Sequence, residues 1–396
     1  MSKFALIGGH LGHSYSKMIH AMFGDYQYDY LELTEEELEK TIRSEEYEGF
    51  NVTIPYKKTV LPICDELSKE SRSIGAVNTI YKRGGKIIGA NTDYYGFCYM
   101  LKRNKIDPEG KKCLVLGTGG ASVMVQKALQ DLGASAIVVI SRSGENNYKN
   151  LSRHYEDTDI IVNATPVGMY PDNGKAPLSV GEFRNLCGVV DLIYNPNKTK
   201  MVLDAMERGI PSCGGLSMLV AQAKASSELF QEKEIDEEEI ESAIYEVRSK
   251  VLNTVLIGMP GAGKTYLGEK IAERDHRKFI DLDDEIVKKE GMSIPEIFKW
   301  KGEDYFRNAE TECLRNACKQ TGIVIACGGG IVTRKCNYSI LKQNGRVIWV
   351  KRSLDKLDLD GRPISQSRPL EEIFEERKDA YESWSDYFID NNQDFK

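Results

Sequence analysis

Cys113-Leu-Val-Leu-Gly-Thr-Gly-Gly-Ala121 decides the fold: a short β-rich apolar run, then glycines, then the helical pattern 122–132. A buried strand that enters a helix through a glycine turn is half of a βαβ unit, and such units build parallel sheets. The pattern recurs in FALIGG (4–9), AIVVISR (136–142), DIIVNATP (159–166), GVVDLIY (188–194) and TVLIGMPGAGKT (254–265). Buried strands alternating with helices predict an α/β protein with one or more parallel sheets. The acidic run EKEIDEEEIE at 232–241 breaks the series. Ile235, Ile240, Ile244 and Val247 recur at near-helical spacing, which predicts a helix with a solvated acidic face. VLNTVLIG (251–258) then opens a fresh strand, so a domain boundary falls near 248–253.

The length of 396 residues fits two to four domains. Hydrophobic residues are 41% and charged residues 29%, a globular balance that excludes fibrous and disordered classes. The net charge is −7, from 53 basic and 60 acidic groups. Residues 1–250 hold 29 basic against 35 acidic groups, and the remainder 24 against 25. Neither part has the basic excess that phosphate neutralisation on a nucleic acid requires. The nine cysteines form no C-x-x-C pair and no zinc spacing, as in a cytoplasmic chain with reduced thiols. The N-terminal apolar stretch is too short for a signal peptide, and no run approaches a membrane span. The expected partners are therefore small molecules, with a homodimer compatible.

Gly117, Thr118, Gly119, Gly120 and Ala121 form a loop whose backbone N–H groups can meet a pyrophosphate at a helix N-terminus. Ser122 stands where such loops carry Gly or Ala, and a tight turn without ligand is the other reading. The next strand ends at Ser141-Arg142, 25 residues after Gly117. An acid there would take a ribose 2′-hydroxyl; a guanidinium suits a 2′-phosphate, so NADP(H) is expected over NAD.

Gly258-Met-Pro-Gly261-Ala262-Gly263-Lys264-Thr265, followed by Tyr266, fits G-x-x-x-x-G-K-[ST]. In such a loop the backbone cradles ATP phosphates, Lys264 reaches the terminal oxygens and Thr265 ligates Mg2+. Asp281-Leu-Asp283 follows Phe279-Ile280. Two carboxylates at i, i+2 on an extended strand would share a side. One could then serve the metal shell and the other orient an acceptor hydroxyl. Gly328-Gly329-Gly330 after the apolar run 323–327 lets backbone approach a ligand closely.

Four polar loops remain: Gly12-His-Ser14-Tyr-Ser16-Lys17, Asn51-Val-Thr53-Ile-Pro-Tyr-Lys57, Gly75-Ala-Val-Asn78-Thr79 and Asn91-Thr-Asp93. Singly each is turn chemistry; together they suit a polyol with many donors and acceptors. With NATPVGM (163–169) and GGLSMLVAQA (214–223), these motifs make residues 1 to about 247 resemble shikimate dehydrogenase. The resemblance implies that Ser14, Ser16, Asn51, Thr53, Asn78, Asp93 and Gln222 hold the substrate. It makes Lys57 and Asp93 the catalytic pair, places Tyr194 near the substrate and puts Gly215 on the cofactor side. Ketone reduction needs a hydride and a proton for the developing alkoxide, which a Lys–Asp pair can manage. A free lysine has a pKa of about 10.4, so acid–base work near neutrality calls for desolvation. NADP-preferring relatives often carry a second basic residue four positions after the first; here that position is Asn146, which implies weaker discrimination.

Residues 253–396 resemble shikimate kinase through the phosphate loop, D-x-D, Phe306-Arg307, the triple glycine, Gly361-Arg362-Pro363 and Arg377-x-x-x-Tyr381. That resemblance implies acceptor binding by Asp283, Arg307, Gly329 and Arg377, and a place near Mg2+ for Asp281. It also implies a lid arginine, Arg362 in preference to Arg368. The implied layout is a substrate-binding domain at 1–100 with helices 211–247 returning to it, and a Rossmann domain at 101–210. A linker at 248–252 and a P-loop kinase domain with a parallel sheet at 253–396 complete it. The expected activities are NADPH-dependent reduction of 3-dehydroshikimate and MgATP-dependent phosphorylation of shikimate. A quinate dehydrogenase fused to a kinase of another polyol, or a metabolite sensor without turnover, are the rivals.

Overall fold

A computed structural model of the chain describes residues 1–12, 14–357 and 368–392. They divide into two compact units. The first comprises Met1–Met169, Lys175–Tyr194 and Asp204–Val247; the second comprises Tyr170–Gly174, Asn195–Leu203 and Arg248–Lys396.

The first unit holds two sheets. One has strands β1 (Lys3–Gly8), β2 (Gln27–Glu32), β3 (Gly49–Val52), β4 (Glu66–Leu67), β5 (Thr79–Arg83) and β6 (Lys86–Ala90), in the order β2-β1-β3-β5-β6-β4. This sheet is mixed: β1 runs parallel to β2 and β3, and β5 runs antiparallel to both β3 and β6. The cause is local. Gly84 and Gly85, at φ +57° and +76°, close a two-residue hairpin that only positive φ permits. Its core gathers Ala5, Ile7, Leu38, Phe50, Val77 and Ile80.

The other sheet of this unit has β7 (Lys112–Leu116), β8 (Ala136–Ile140), β9 (Ile160–Asn163), β10 (Gly188–Asp191) and β11 (Ser212–Cys213). All are parallel, in the order β11-β10-β9-β7-β8. Successive connections leave β7 in opposite directions, so the crevice beyond its carboxyl end is the switch point where such sheets bind ligands. β7 runs straight into Gly117.

Helices Thr92–Arg103 and Leu216–Gln231 pack closely. Gly96 allows it, since a Cβ there would lie 2.5 Å from the Met218 carbonyl oxygen. The acidic run becomes helix only from Glu238, because Glu232 at φ +53° caps the preceding helix. The new helix buries Ile240, Ala243, Ile244 and Val247 and continues to Val251.

The second unit has β12 (Asn253–Ile257), β13 (Phe279–Asp281), β14 (Val324–Ala326), β15 (Gly345–Lys351) and β16 (Tyr387–Asp390). They form one parallel sheet, β13-β14-β12-β15-β16. The central strand β12 leads into the second glycine loop.

Candidate active sites

In the first unit, Lys57 lies in the turn after β3 and Asp93 in the first turn of helix Thr92–Arg103. The Asn91 side chain caps that helix by accepting from the Tyr94 N–H. The fold brings the two charges together: Lys57 Nζ donates to Asp93 Oδ2 at 2.6 Å, with the side chains 25% and 17% exposed. They are thus accessible yet partly withdrawn from water.

Ser14 and Ser16 bond each other at 3.1 Å, and the Tyr15 ring between them meets the Tyr194 ring at 5.2 Å. Burial raises the Tyr194 phenol above its ordinary pKa, keeping it a neutral donor. Thr53 is fixed by its N–H to the Ile7 carbonyl. Asn78 is buried, its Oδ1 accepting the Thr92 N–H at 2.7 Å and its Nδ2 reaching Gln222 Oε1 at 3.4 Å. Asn51 is also brought beside this group. Its amide is committed to protein: Oδ1 accepts from Tyr28 at 2.7 Å and Nδ2 donates to Ser226 at 2.8 Å.

The first glycine loop has the shape of an anion cradle. Gly117 adopts φ +101°, a conformation that favours glycine. A Cβ on Gly119 or Gly120 would meet nothing within 4 Å, so the backbone at the start of helix Gly120–Asp131 lies open. The unexpected Ser122 is accounted for: it is buried and its hydroxyl accepts from Gln126 one turn later at 3.1 Å. Arg142 lies exposed just past β8, with Tyr148 within electrostatic range. The Asn146 carbonyl accepts the Ser141 N–H, so that position helps shape the loop. Ser141 itself bonds the Ser143 carbonyl. Gly215 rests on backbone: a Cβ there would lie 2.1 Å from the Leu192 oxygen.

In the second unit, Gly258 (φ +144°) admits no side chain, since a Cβ would lie 2.4 Å from the Val350 oxygen. Gly261 and Gly263 also turn through positive φ, Ala262 is buried and Tyr266 exposed. Lys264 folds over the loop and donates to the carbonyls of Gly258 (3.0 Å) and Met259 (2.8 Å). Thr265 Oγ1 donates to Asp281 Oδ2 at 2.7 Å, the pairing expected of two groups sharing a magnesium shell.

The placement of Asp281 and Asp283 on one extended strand is corrected. Asp281 ends β13 and caps helix Leu282–Glu290, its Oδ1 accepting the Asp283 N–H at 2.9 Å. Asp283 therefore projects from a helix. An N-terminal N–H needs an acceptor, and the nearest carboxylate supplies it.

Asp283 still reaches the expected company, because the triple glycine is ringed by these side chains. A Cβ on Gly328 would lie 2.8 Å from both Asp283 Oδ1 and Glu310 Oε1; on Gly330 it would collide with the Arg307 guanidinium at 2.2 Å. Arg377 donates to the Gly329 carbonyl at 3.1 Å, and the Tyr381 hydroxyl donates to the same oxygen. Burial works against the Arg307 charge, but Glu310 (2.8 Å) and Glu303 outweigh it and hold the guanidinium protonated. Burial pushes the Glu310 carboxyl up, while Arg307, Arg377 and Arg334 pull it back. Arg362 lies outside the described residues. Arg368 is exposed and paired with Glu376 and Glu372.

Sequence reasoning missed Glu310, Asn391 and the hydroxyls of Thr79, Thr92 and Ser226. Glu310 was within reach, being one helical turn after Arg307. Asn391 carried no local signal, yet its Nδ2 holds the Ala262 carbonyl of the phosphate loop at 2.7 Å.

Residues 260–396 match the shikimate kinase family, and residues 6–80 match the shikimate dehydrogenase substrate binding domain. The chain is 38% identical over 254 residues to shikimate dehydrogenase (NADP(+)) of Clostridium beijerinckii, covering 60% of this chain and 94% of that protein. Its counterpart in Methanopyrus kandleri is 34% identical over 272 residues, covering 61% and 94%. Among solved structures, a chorismate mutase/shikimate 5-dehydrogenase fusion protein from Clostridium acetobutylicum is 36% identical, with TM-score 0.61 over 63% of this chain and 98% of that one. Shikimate 5-dehydrogenase from Thermus thermophilus, in complex with NADP(H) and shikimate, is 30% identical, with TM-score 0.55 over 62% and 99%.

Proposed function

This chain belongs to the shikimate dehydrogenase family and carries a shikimate kinase domain behind it, and we propose that it reduces 3-dehydroshikimate to shikimate and then phosphorylates shikimate. It is a bifunctional enzyme of the shikimate pathway using NADP(H), with ATP and Mg2+ at the kinase. One observation carries the reading. In each unit, side chains far apart in sequence meet, and the same unit carries a glycine loop fit for phosphate.

NADPH, when bound, supplies the hydride. The open backbone at Gly119 and Gly120 would hold its pyrophosphate, and Arg142 its 2′-phosphate. Lys57 directs an N–H at the oxygen where alkoxide charge develops, and Asp93 fixes the direction of that N–H. Ser14, Ser16, Thr53, Asn78, Tyr194 and Gln222 supply donors and acceptors for the ring's carboxylate and hydroxyls.

MgATP, when bound, supplies the phosphoryl group. Lys264 would exchange its two carbonyl partners for phosphate oxygens, and Thr265 and Asp281 would hold the metal. Arg307 and Arg377 offer planar forks of donors to a carboxylate, and Asp283 orients the acceptor hydroxyl. A homodimer is compatible with this scheme. No described helix is long and apolar enough to cross a membrane. The cytoplasm, which keeps all nine thiols reduced, is the proposed compartment.

The test is a coupled assay starting from 3-dehydroshikimate, NADPH, ATP and Mg2+. Shikimate is expected to accumulate without ATP and shikimate 3-phosphate to form with it. Tight binding without turnover would overturn the reading in favour of a sensor. Faster oxidation of quinate than shikimate would overturn the substrate assignment.

A further inference from the structure

Beneath the dehydrogenase site lies a buried cluster of three hydroxyls, those of Thr79, Thr92 and Ser226, contributed by β5 and by two helices. We propose that Thr79 and Ser226 are positioning residues of this site: they lock the amides of Asn51 and Asn78 in one orientation each, so that Asn78 turns its N–H side toward Gln222. The inference rests on the dehydrogenase reading.

Counting protons makes the case. A hydroxyl has one proton to give and two lone pairs to receive. Asn78 Oδ1 accepts the Thr92 backbone N–H at 2.7 Å, which fixes which end of that amide is oxygen. Thr79 donates its proton to the same Oδ1 at 3.1 Å and receives Asn51 Nδ2–H at 3.2 Å, so this one hydroxyl bridges both amides. Ser226 donates to the Gln222 carbonyl at 2.9 Å, leaving its lone pairs for Asn51 Nδ2–H at 2.8 Å and for Thr92 at 2.9 Å. Thr92 in turn receives Asn78 Nδ2–H at 3.0 Å. Every proton then has a place.

Turning either amide over breaks the set. A reversed Asn78 would set Nδ2 against the Thr92 N–H and oxygen against Gln222 Oε1. A reversed Asn51 would offer oxygen to Thr79 and Ser226, whose protons are already given to Asn78 and Gln222. At these buried positions each mismatch sets like against like and costs the hydrogen bond it replaces. Thr79 and Ser226 lie 147 residues apart in sequence and both receive from Asn51 Nδ2, so the cluster also ties helix Leu216–Gln231, which carries Gln222, to β5.

Thr79→Val keeps the shape and removes the hydroxyl. It is expected to raise KM for shikimate about 5- to 10-fold, the equivalent of one lost hydrogen bond of roughly 1 kcal/mol. The value of kcat, KM for NADP and the kinase rate should stay within about twofold, because uniform binding alone is lost. Thr79→Ser should restore KM. Ser226→Ala should raise KM likewise, and the double variant should do little more than either single change. The proposal is overturned if Thr79→Val leaves KM unchanged, if Thr79→Ser is as impaired as Thr79→Val, or if kcat falls while KM holds. A parent protein that binds shikimate without oxidising it would overturn the functional reading alone. The same variants are then scored by their shikimate dissociation constants, with the same expected ratios.

Discussion

Single residues carry the pH and cofactor behaviour of the dehydrogenase unit. His20 is buried and stacked on Tyr28 at 4.1 Å, with Nδ1 bonded to the Tyr26 hydroxyl. Burial, opposed weakly by Asn51, brings its pKa down to about 3. The unfolded chain binds a proton at about pH 6.5 that the folded chain refuses. The stability owed to neutral His20 is therefore complete above about pH 6.5 and lost progressively toward pH 3. Between pH 7 and pH 5 this amounts to about 2 kcal/mol. Unfolding by urea should show that the parent loses about this much more over the interval than His20→Gln; parallel pH profiles would refute it. At Arg142, the exposed guanidinium should matter only to a cofactor bearing a 2′-phosphate. Arg142→Ala is expected to raise KM for NADPH about tenfold and to leave that for NADH nearly unchanged, a charged hydrogen bond being worth roughly 1.5–3 kcal/mol. Equal effects would remove Arg142 from cofactor choice. The meeting of Lys57 with Asp93 and the place of Arg142 at the end of β8 were legible because short contiguous motifs hold these residues. The network around Thr79 was not, because ordinary threonines and serines acquire meaning only when four elements close around them.

Elements decide how loops are held. Each β-rich run in the sequence became a strand, and each glycine loop sits at the end of its sheet's strand. One reading failed because a local hydrogen-bonding need outranked the extended pattern: Asp281 capped a helix that took Asp283 out of the strand. The phosphate loop is held from outside its own strand and helix. Asn391, one residue past β16, takes the Lys351 carbonyl with its N–H at 2.8 Å and the Ala262 carbonyl with Nδ2 at 2.7 Å. The peptide so fixed leads into Gly263, whose φ of +86° directs the next N–H groups. Asn391→Ala should therefore raise KM for MgATP about fivefold, the loss of a hydrogen bond of about 1 kcal/mol, without changing KM for shikimate at the kinase. Asn391→Asp should be worse, since it sets an acceptor against the Ala262 carbonyl. An unaltered KM for MgATP in both variants would show that the loop holds itself.

At the scale of the molecule, composition and length bounded the answer to a globular chain of several domains without the basic excess of a nucleic-acid binder, and the two glycine loops divided it. The discontinuous make-up of the units was beyond sequence reasoning: residues 170–174 and 195–203 belong with the second unit although both flanks of each belong to the first. Nothing in their local pattern reports that, since membership is set by packing. Every described catalytic or binding side chain nevertheless falls in the unit of its own glycine loop. Lys57 and Asp93 share the first unit with Gly117–Gly120, and Lys264, Asp281, Arg307 and Arg377 share the second. The two activities are therefore expected to respond separately to substitution. Lys57→Ala should lower the rate of 3-dehydroshikimate reduction by about 10²- to 10⁴-fold, the usual range for a positioned acid–base group, and leave phosphorylation within about twofold. Lys264→Ala should lower phosphorylation by about 10²- to 10³-fold and spare reduction. Both rates are read on the same purified, folded protein. If either substitution abolishes both activities, the two units do not act independently, and the coupled appearance of shikimate 3-phosphate would then need a shared conformational step.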